Sequence, residues 1–470
     1  MKKVLGKRLL EEGLVTGADL QAALDRMRTY GGRLGSNLVA LGRITEADLA
    51  RFFDFTPKPP RKPAETHLDE NVLRDLVLKH ALMTKKFSIQ SMVGRTKLHA
   101  NVIAEIVGAL KNDGLIEIAK GNTSFSTMLY EYNITEVGLH MANGLMEECR
   151  YVGPAPVSLE DYREAVEIQT IKSLDVTEAD IRKSFSDIVV SETMFQRLGA
   201  AINSGKPIFL YGPAGGGKTT IAECIGRSLP GEIYIPYALL VGGQIIVVYD
   251  QVSHEAVPQP KKDDDEGHDQ RWIRVKRPIV MAGGEMTLKT LDLEFNPNSK
   301  YYEAPLQVKA GNGIFVVDDF GRQLIDPQSL LNRWIVPLDR RVDFLSLHTG
   351  MKFEIPFDQL VIFATNLEPE KLADEAFLRR LRYKIKINYP TPREYRQIFE
   401  AVCDANRLPL DEEVFDYLIR KYDDAGIKPI GCHPRDLVDH MIDEAYFKRK
   451  PPAITRAAID FAWMNYFVDL

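Results

Sequence analysis

Short apolar runs bounded by glycine or polar residues stand out in the second half of the chain. The runs at 207–211, 313–317 and 360–365 each hold at least four successive apolar residues, which is typical of strands buried on both faces of a parallel sheet. After the first run, "TIAECIGRSL" has the spacing of a helix. This alternation predicts an α/β core over 185–390, and the pattern of 391–470 predicts an α-helical domain behind it.

Two segments inside the predicted core alternate apolar and polar residues. "RRVDFLSLHTGMKFEIPFDQL" (340–360) does so on both sides of a Thr-Gly turn, which predicts a β-hairpin. In the segment 238–280, "QIIVVY" and "RWIRVKRPIV" predict two strands that flank the charged tip "KKDDDEGHDQR". We expect both segments to be hairpin insertions in the core, and the tip to be a solvated loop.

The first 56 residues contain an internal repeat. "LGKRLLEEGLVTGADLQAAL" begins at Leu5 and "LGSNLVALGRITEADLARFF" at Leu34, an offset of 29. In each copy a helix ends at a glycine, and threonine and aspartate precede a second helix. The repeat predicts a small all-α domain over 1–56.

Proline-containing stretches separate this domain from the rest. We expect an extended linker at 57–66 and a second linker at 151–184, which begins with the "VGPAPVS" break. Between them lies a middle domain, 67–150. Its "SIQSMVG" and "LHANVIAEIVGALKNDGLIEI" predict two helices and a strand, and "YNITEVGLHMANGLMEE" predicts a further strand and a closing helix.

Composition excludes several classes of protein. A net charge of −6 over 470 residues argues against a generally nucleic-acid-binding surface. The four cysteines lack metal-site spacing and suit a reducing compartment. The apolar runs are shorter than the roughly 18 residues of a membrane helix. We therefore expect a cytoplasmic protein without membrane insertion.

The stretch "FLYGPAGGGKTT" (209–220) places a glycine-rich loop between a predicted strand and a predicted helix. It matches the phosphate-loop pattern G-x-x-x-x-G-K-[ST], in which backbone N–H groups and the helix dipole hold phosphate oxygens. Lys218 can reach the β- and γ-phosphates, and the Thr219 hydroxyl can ligate Mg²⁺. The predicted nucleotide-binding residues are Gly212, Pro213, Ala214, Gly215, Gly216, Gly217, Lys218, Thr219 and Thr220.

Two later strands end in polar side chains that suit the same chemistry. Asp318 and Asp319 follow a buried strand, the Walker B arrangement, in which the first carboxylate holds Mg²⁺ and the second polarises the attacking water. Asp319 stands where glutamate is usual and is one methylene shorter. Asn366 ends the next strand and can orient that water. We therefore expect ATP and Mg²⁺ as cofactors, with Thr219 and Asp318 as metal ligands.

This ordered set of motifs resembles AAA+ ATPases over about 185–470. The phrases "DEAFLRRLRYKIKINYP" and "GCHPR" are similar to phrases of the MoxR-like branch. The resemblance implies a homo-oligomeric ring, with six subunits expected, in which Arg380, or alternatively Arg379, acts on the nucleotide of the neighbouring subunit. It also implies Arg435 as the sensor 2 residue of a helical lid, and hairpins that face the pore or a partner.

The repeat over 1–56 resembles the N-terminal domain of type II secretion and type IV pilus ATPases, the GspE/MshEN type. Some of those domains bind cyclic di-GMP through two motifs that begin with arginine. The matching positions are Val4 and Arg33, and Met27 and Thr56 stand where the motifs have glutamine. Two interpretations stay open, a cyclic di-GMP site and a structural docking domain, and the departures favour the second.

The middle domain resembles the winged helix-turn-helix of bacterial regulators. That resemblance implies DNA binding through the helix near 98–111. Acidic and basic residues balance over 61–150, however, and the outward positions of this helix include Asn101, Glu105 and Lys111. DNA-binding proteins usually neutralise several phosphates with lysine and arginine, so we favour a protein-docking role and keep DNA binding as the alternative.

Three functions fit these observations. The favoured hypothesis is a Mg²⁺-dependent ATPase of the remodelling or chaperone-like type, whose N-terminal modules recognise an unidentified protein client or a signal in pilus, secretion or regulatory assemblies. The second is a DNA-associated ATPase or transcriptional regulator. The third is an adaptor that binds ATP and barely hydrolyses it, which the shorter Asp319 makes conceivable.

Overall fold

The computed structural model describes residues 6, 9–10, 12–45, 47–49, 55–119, 130–258, 267–372 and 378–467. At the N-terminus, α1 (Gly17–Tyr30) and α2 (Leu34–Ala40) enclose a small buried cluster that includes Leu9 and Leu38. Thr16 and the aspartate three residues later form a capping box at the start of α1. Parts of both predicted repeats, among them 1–5 and 50–54, lie outside the described residues.

The next group combines helices with a small antiparallel sheet. Its elements are α3 (Glu70–Thr84), β1 (Lys86–Ser88), α4 (Ile89–Thr96), α5 (Ala100–Asn112), β2 (Ile116–Ile118), β3 (Glu131–Ile134) and α6 (Glu136–Glu148). The central strand is β3, which pairs with both β1 and β2. The apolar faces of α3, α4 and α5 meet over this sheet in one buried cluster. Residues 120–129, between β2 and β3, lie outside the described residues.

A five-stranded, all-parallel sheet forms the centre of the larger half of the chain. Its strands, in spatial order, are β10 (Ile279–Ala282), β13 (Ile314–Val317), β16 (Leu360–Thr365), β5 (Ile208–Tyr211) and β17 (Tyr383–Lys386). Every residue of β13 and β16 is buried because both faces are covered. The α/β core predicted from the apolar runs is confirmed.

Helices on the two faces of this sheet pack differently. On one face lie α8 (Glu178–Ser184), α9 (Glu192–Ser204) and α10 (Lys218–Ser228). On the other, Trp334 of α12 (Pro327–Arg340) packs edge-on against Phe315 with ring centroids 5.3 Å apart. The side chains of β5 alternate between the two buried clusters, which is the period expected of a strand.

A second five-stranded sheet takes two of its strands from the segment 238–280, which was predicted as an insertion. Its strands, in spatial order, are β11 (Glu294–Asn296), β12 (Tyr301–Glu303), β8 (Gln244–Val247), β7 (Ala238–Val241) and β4 (Val157–Ser158). The short helix α11 (Leu306–Lys309) follows β12. One part of this sheet packs on the α3–α6 group through Ala238 and Ile245.

The expected pairing across 238–280 is wrong. "QIIVVY" does form a strand, β8, but it pairs with β7 and β12. "RWIRVKRPIV" forms two strands: β9 (Trp272–Lys276) pairs with β6 (Glu232–Pro236), and β10 joins the central parallel sheet. Apolar alternation identified the strands but contains no information on their partners. The tip residues 259–266 lie outside the described residues.

The hairpin predicted at 340–360 is present as β14 (Val342–Ser346) and β15 (Lys352–Pro356). Its inward face, with Leu345 and Ile355, is buried against the second sheet. At the tip, Met351 packs so closely on Gly242 that a Cβ there would lie 2.5 Å from its sulfur. One face of the hairpin is therefore covered within the chain, while Phe344 on its other face is exposed, and the orientation of the hairpin towards a pore or partner stays a prediction.

Both predicted linkers are integrated into the fold. Within 57–66, the carbonyl oxygen of Pro57 accepts the N–H of Asp269 at 2.7 Å. The buried Arg271 pairs with Asp269 at 2.8 Å and donates to the carbonyl oxygen of Pro156 at 3.2 Å. Within 151–184 lie β4, α7 (Leu159–Ile168) and α8, whose apolar faces enter the main buried clusters.

Four helices complete the chain. They are α13 (Pro392–Ala405), α14 (Glu412–Ala425), α15 (His433–Phe447) and α16 (Arg456–Tyr466). Each begins with a proline in its first turn or a side-chain cap, and apolar residues at helical spacing meet in one cluster around Phe399, Leu418 and Leu437.

Candidate functional site

The predicted phosphate-binding residues 212–220 form the loop between β5 and α10, as the sequence suggests. The loop depends on glycine at two points in particular. Gly212 passes so close to the backbone of Ile387 that a Cβ would collide with its carbonyl oxygen. Gly217, with φ of +83°, caps α10 in a left-handed conformation that favours glycine. The N-terminal N–H groups of α10 thus face the loop, where they can bind an anion.

Lys218 is buried, with 7% of its surface exposed, and its ammonium group donates inward. Its Nζ lies 2.7 Å from the carbonyl oxygen of Pro213 and 3.1 Å from that of Gly212. A third bond, at 2.6 Å, goes to Oδ1 of Asn366. Burial lowers the pKa of Lys218, while the nearby Asp319 and Asp318 carboxylates act in the opposite direction.

Thr219 and Asp318 meet across the gap between α10 and β13. The Thr219 hydroxyl donates to Oδ2 of Asp318 at 2.9 Å, and the second carboxylate oxygen accepts the N–H of Asp319 at 3.0 Å. One hydroxyl and one carboxylate are the oxygen ligands that Mg²⁺ takes from proteins when substrate phosphates and waters complete its shell. These residues fit that cation. Among the described residues, no three His, Cys, Asp or Glu side chains are grouped as an all-protein metal site.

Asn366 connects the lysine with the second carboxylate. Its Nδ2 donates to Oδ1 of Asp319 at 3.2 Å while its Oδ1 accepts from Lys218. Asp319 itself has φ of +49°, a left-handed conformation that costs a non-glycine residue on the order of 1 kcal/mol. The five polar residues therefore form a continuous hydrogen-bonded cluster at the carboxyl ends of three adjacent strands, where α/β sheets bind ligands.

The two predicted arginines lie outside this cluster. Arg380 follows residues 373–377, which lie outside the described residues, and its Nε pairs with Asp339 of α12 at 2.9 Å. Arg435 is exposed in the first turn of α15 and, within the described part of the chain, makes no hydrogen bond or ion pair. Arg379, the alternative to Arg380, is exposed.

The residues before α15 touch the phosphate loop instead. The N–H of Cys432 donates to the carbonyl oxygen of Gly215 at 3.1 Å, and Ile430 lies on the same glycine. Next to Cys432, the buried His433 accepts a hydrogen bond from the Tyr422 hydroxyl at 2.9 Å. The sequence phrase "GCHPR" predicts a role for its arginine, and no sequence signal points to the contact made by its cysteine.

A groove of about 520 Å³ lies between the segment before β5 and the first of the C-terminal helices. Its apolar wall includes Phe185, Ile188 and Val190, and its polar wall includes Gln397 and Glu400 of α13. Sequence reasoning did not identify it. The sign that was present is the apolar "DIVV" just before α9, which the structure places on the wall of the groove.

The model of a domain of unknown function (DUF8689) matches residues 391–465, the four C-terminal helices. No curated protein matches the chain. Within the described residues, no helix has the length and apolar character needed to cross a membrane.

Several solved structures show a weak likeness. NtrX from Brucella abortus in complex with ADP is 12% identical with a TM-score of 0.37, over 60% of this chain and 56% of that chain. Domain III of the replication initiation protein DnaA from Thermotoga maritima is 14% identical with a TM-score of 0.35, over 61% of this chain and 98% of that one. A RuvB mutant from Thermotoga maritima is 11% identical with a TM-score of 0.35, over 64% and 74%.

The chain spans just over half the length of NtrX, and likeness at this level carries no argument about activity or partners. The class of the protein follows from its own geometry. A phosphate loop leads from an inner strand of a parallel sheet into a helix, and helices cover both faces of that sheet. This is the α/β fold of the P-loop nucleotide-binding proteins.

Proposed function

We propose that this protein is a Mg²⁺-dependent ATPase of the AAA+ type. The observation that carries the proposal is the convergence of five residues from three separate segments in one hydrogen-bonded cluster beside the phosphate loop: Lys218, Thr219, Asp318, Asp319 and Asn366. A purely structural network would not need a lysine, a Mg²⁺-type oxygen pair and a second carboxylate at the carboxyl ends of neighbouring strands.

Each residue has a distinct task in the proposed reaction. Lys218 exchanges its bonds to the loop carbonyls for the β- and γ-phosphate oxygens, and backbone N–H groups of the loop bind the same phosphates. Thr219 and Asp318 would hold Mg²⁺, which when bound neutralises charge on the phosphates. Asp319 accepts a hydrogen bond from the attacking water. Asn366 orients both that carboxylate and the lysine through its two hydrogen bonds.

The AAA+ assignment extends the proposal to the C-terminal helices. The contact of Cys432 with Gly215 supports a lid, because a shift of α15 would move the phosphate loop. Arg435 is exposed on the same helix, where a nucleotide or a movement of the lid can engage it. In a ring, we propose that Arg380 contacts the nucleotide of the neighbouring subunit, with Arg379 as the alternative. The placement in the MoxR-like branch rests on the sequence phrases alone.

The groove beside α13 fits the base and sugar of the nucleotide. It lies between the lead-in to the phosphate-loop strand and the first lid helix, and its apolar side chains can cover a planar base. If the lid closes over this groove, nucleotide binding moves the C-terminal helices relative to the core. The function that follows is a remodelling motor that acts on a protein client, which the N-terminal modules select.

The N-terminal modules favour docking over ligand binding. Arg33, at the arginine position of the second repeat, donates to the carbonyl oxygen of Asn203 in α9 at 2.9 Å. Burial lowers the pKa of Arg33, against the effect of the Asp175 carboxylate. An arginine in contact with the core is not available to cyclic di-GMP, so we propose that 1–56 is a docking domain.

The element order of 67–150, with three strands and a closing helix, supports a winged helix. The outward face of α5 offers Lys111 beside Glu105 and Asn101, a charge pattern that does not favour phosphate. Binding to a protein is therefore preferred, and DNA association stays the second candidate.

A nucleotide titration of the full chain tests the first step. Isothermal titration with ATP and Mg²⁺ should show one site per chain, and Lys218→Ala should weaken binding at least ~100-fold, because the ammonium contacts the phosphates directly. Lys206→Ala, which removes an exposed lysine before β5, is the matched control and should bind as the native protein does. Equal affinity in both variants would overturn the site assignment.

A further inference from the structure

Gln323 lies in the loop between β13 and α12 and folds its side chain back over that loop. Its Nε2 donates to the carbonyl oxygen of Asp318 at 2.7 Å, and its Oε1 accepts the N–H of Gly321 at 2.8 Å. One side-chain amide thus spans the turn in which Asp319 lies. Both hydrogen bonds go to backbone atoms of this turn, and neither goes to the phosphate loop.

The backbone conformation of this turn is energetically unfavourable. Asp319 has φ of +49° and Gly321 has φ of +100°, and the carbonyl oxygen of Asp319 accepts the N–H of Arg322 at 2.9 Å. A non-glycine residue in the left-handed region persists where the surrounding structure over-determines it. Gln323 supplies that constraint from the loop side.

The central sheet supplies the constraint from the other side. The N–H of Phe320 donates to the carbonyl oxygen of Ala364 at 2.7 Å, and the Thr365 hydroxyl donates to the carbonyl oxygen of Phe320 at 2.6 Å. The same strand continues into Asn366, whose amide reaches the Asp319 carboxylate at 3.2 Å. Because that last bond is long, a small rotation of the turn would break it.

We propose that Gln323 is a positioning residue, which holds Asp319 in the conformation that presents its carboxylate to the attacking water. This inference rests on the proposed ATPase function. Both hydrogen bonds of its side chain go to backbone atoms of the turn, including the carbonyl oxygen of Asp318, and neither goes to Lys218 or Thr219, so we do not expect Gln323 to bind the nucleotide. Its loss should therefore reduce turnover and leave affinity unchanged.

The test compares Gln323→Met, which keeps the length of the side chain and removes both hydrogen bonds, with the native full chain. We expect kcat for ATP to fall about 10- to 100-fold, the range for a misplaced catalytic group. The Kd for a fluorescent ATP analogue with Mg²⁺ should stay within about twofold of native. Gln21→Met, on the exposed side of α1, is the control for the substitution itself.

A double-mutant cycle separates positioning from general damage. In an Asp319→Asn background, Gln323→Met should add no further loss of single-turnover rate, because both changes act on the same carboxylate. Additive losses would contradict the proposal, as would native kcat in Gln323→Met. If Gln323→Met folds poorly, Gln323→Glu serves instead: it keeps the acceptor for Gly321, and its deficit should shrink as the pH is lowered and the acid regains a donor.

Different experimental results would contradict the role of Gln323 and the proposed ATPase function. A native protein that binds ATP without hydrolysing it contradicts the proposed function. A native protein that hydrolyses ATP while Gln323→Met retains full kcat contradicts the role of Gln323 alone.

Discussion

The backbone N–H of Cys432 donates a hydrogen bond to the carbonyl oxygen of Gly215 at 3.1 Å, which joins the C-terminal helices to the phosphate loop. The cysteine side chain packs against the same glycine, and Gly431 lies beside it. Because the loop has no side chains at this point, the two backbones approach closely. We expect a rotation of α15 to displace the loop that is proposed to bind phosphate.

Substituting Gly215 tests this contact. A Cβ in Gly215→Ala would lie 2.5 Å from Sγ of Cys432, and the residue has φ of +72°, so both the contact and the backbone are strained. We expect ATP affinity to fall about 10-fold. Adding Cys432→Ala removes the sulfur and should restore part of the loss, which a nucleotide titration of the three variants measures.

The control for that change is Gly144→Ala. Gly144 lies within α6, and no atom lies within 4 Å of the Cβ it would gain. This variant should be more stable by about 0.5–1 kcal/mol in urea unfolding and bind ATP normally. If Gly215→Ala behaves in the same way, the contact with Cys432 does not constrain the loop.

The position of Arg380 predicts that turnover depends on subunit contact. Its guanidinium pairs with Asp339, an exposed residue of α12. Arg380→Ala should bind ATP with native affinity and hydrolyse it ~10³-fold more slowly, the usual loss for an arginine finger. The measurement is kcat against protein concentration.

Mixing variants distinguishes action in trans from action in cis. Lys218→Ala has an intact arginine and no working nucleotide site, and Arg380→Ala has the reverse, so a mixture should recover activity if the arginine acts on a neighbour. Arg379→Ala, at the alternative position, is mixed with Lys218→Ala in the same way. Recovery with neither arginine variant would contradict a finger in this segment.

The sequence indicated which residues of the candidate site lie close together better than it indicated what surrounds them. The phosphate loop, the two carboxylates and Asn366 each end or follow a buried strand, and parallel strands bring such positions to one edge of a sheet. Gln323 makes its hydrogen bonds across a turn, and Cys432 makes its hydrogen bond to a loop far away along the chain. Composition and periodicity give no information on such contacts.

The strand pairing of the second sheet could not be predicted from the sequence, for a related reason. Alternation along 238–280 fixes which face of each strand is apolar, but β9 and β10 are separated by two residues and belong to different sheets. Partner choice depends on burial against the α3–α6 group and the hairpin, which are non-local contacts. Non-local contacts also anchor the proline-rich segment that was expected to be an extended linker, through Asp269 and Arg271.

His433 makes the C-terminal helices sensitive to acid. Burial lowers the pKa of His433 to about 4 from 6.5, with Asp436 opposing the shift. The unfolded chain therefore binds a proton at a higher pH than the folded one. The stability from the neutral imidazole is complete above pH 6.5 and is lost as the pH falls towards 4, by up to about 1.4 kcal/mol per pH unit.

Amide hydrogen exchange of α15, measured in the full chain between pH 4 and 6.5, checks this dependence of stability on pH. His433→Asn keeps an acceptor near the Tyr422 hydroxyl and cannot titrate, so its protection should vary less with pH. His140→Asn, at an exposed position of α6, is the control. An unchanged slope in His433→Asn would assign the pH dependence to other groups.

The central claim is that the cluster around Asp319 hydrolyses ATP, and steady-state phosphate release tests it most directly. The native protein should release phosphate with Mg²⁺ and stop when the cation is chelated. Asp319→Asn should retain ATP binding and lose turnover by at least ~100-fold, because the amide cannot polarise the water. Native phosphate release from Asp319→Asn, or none from a native protein that binds ATP and Mg²⁺, would contradict the account.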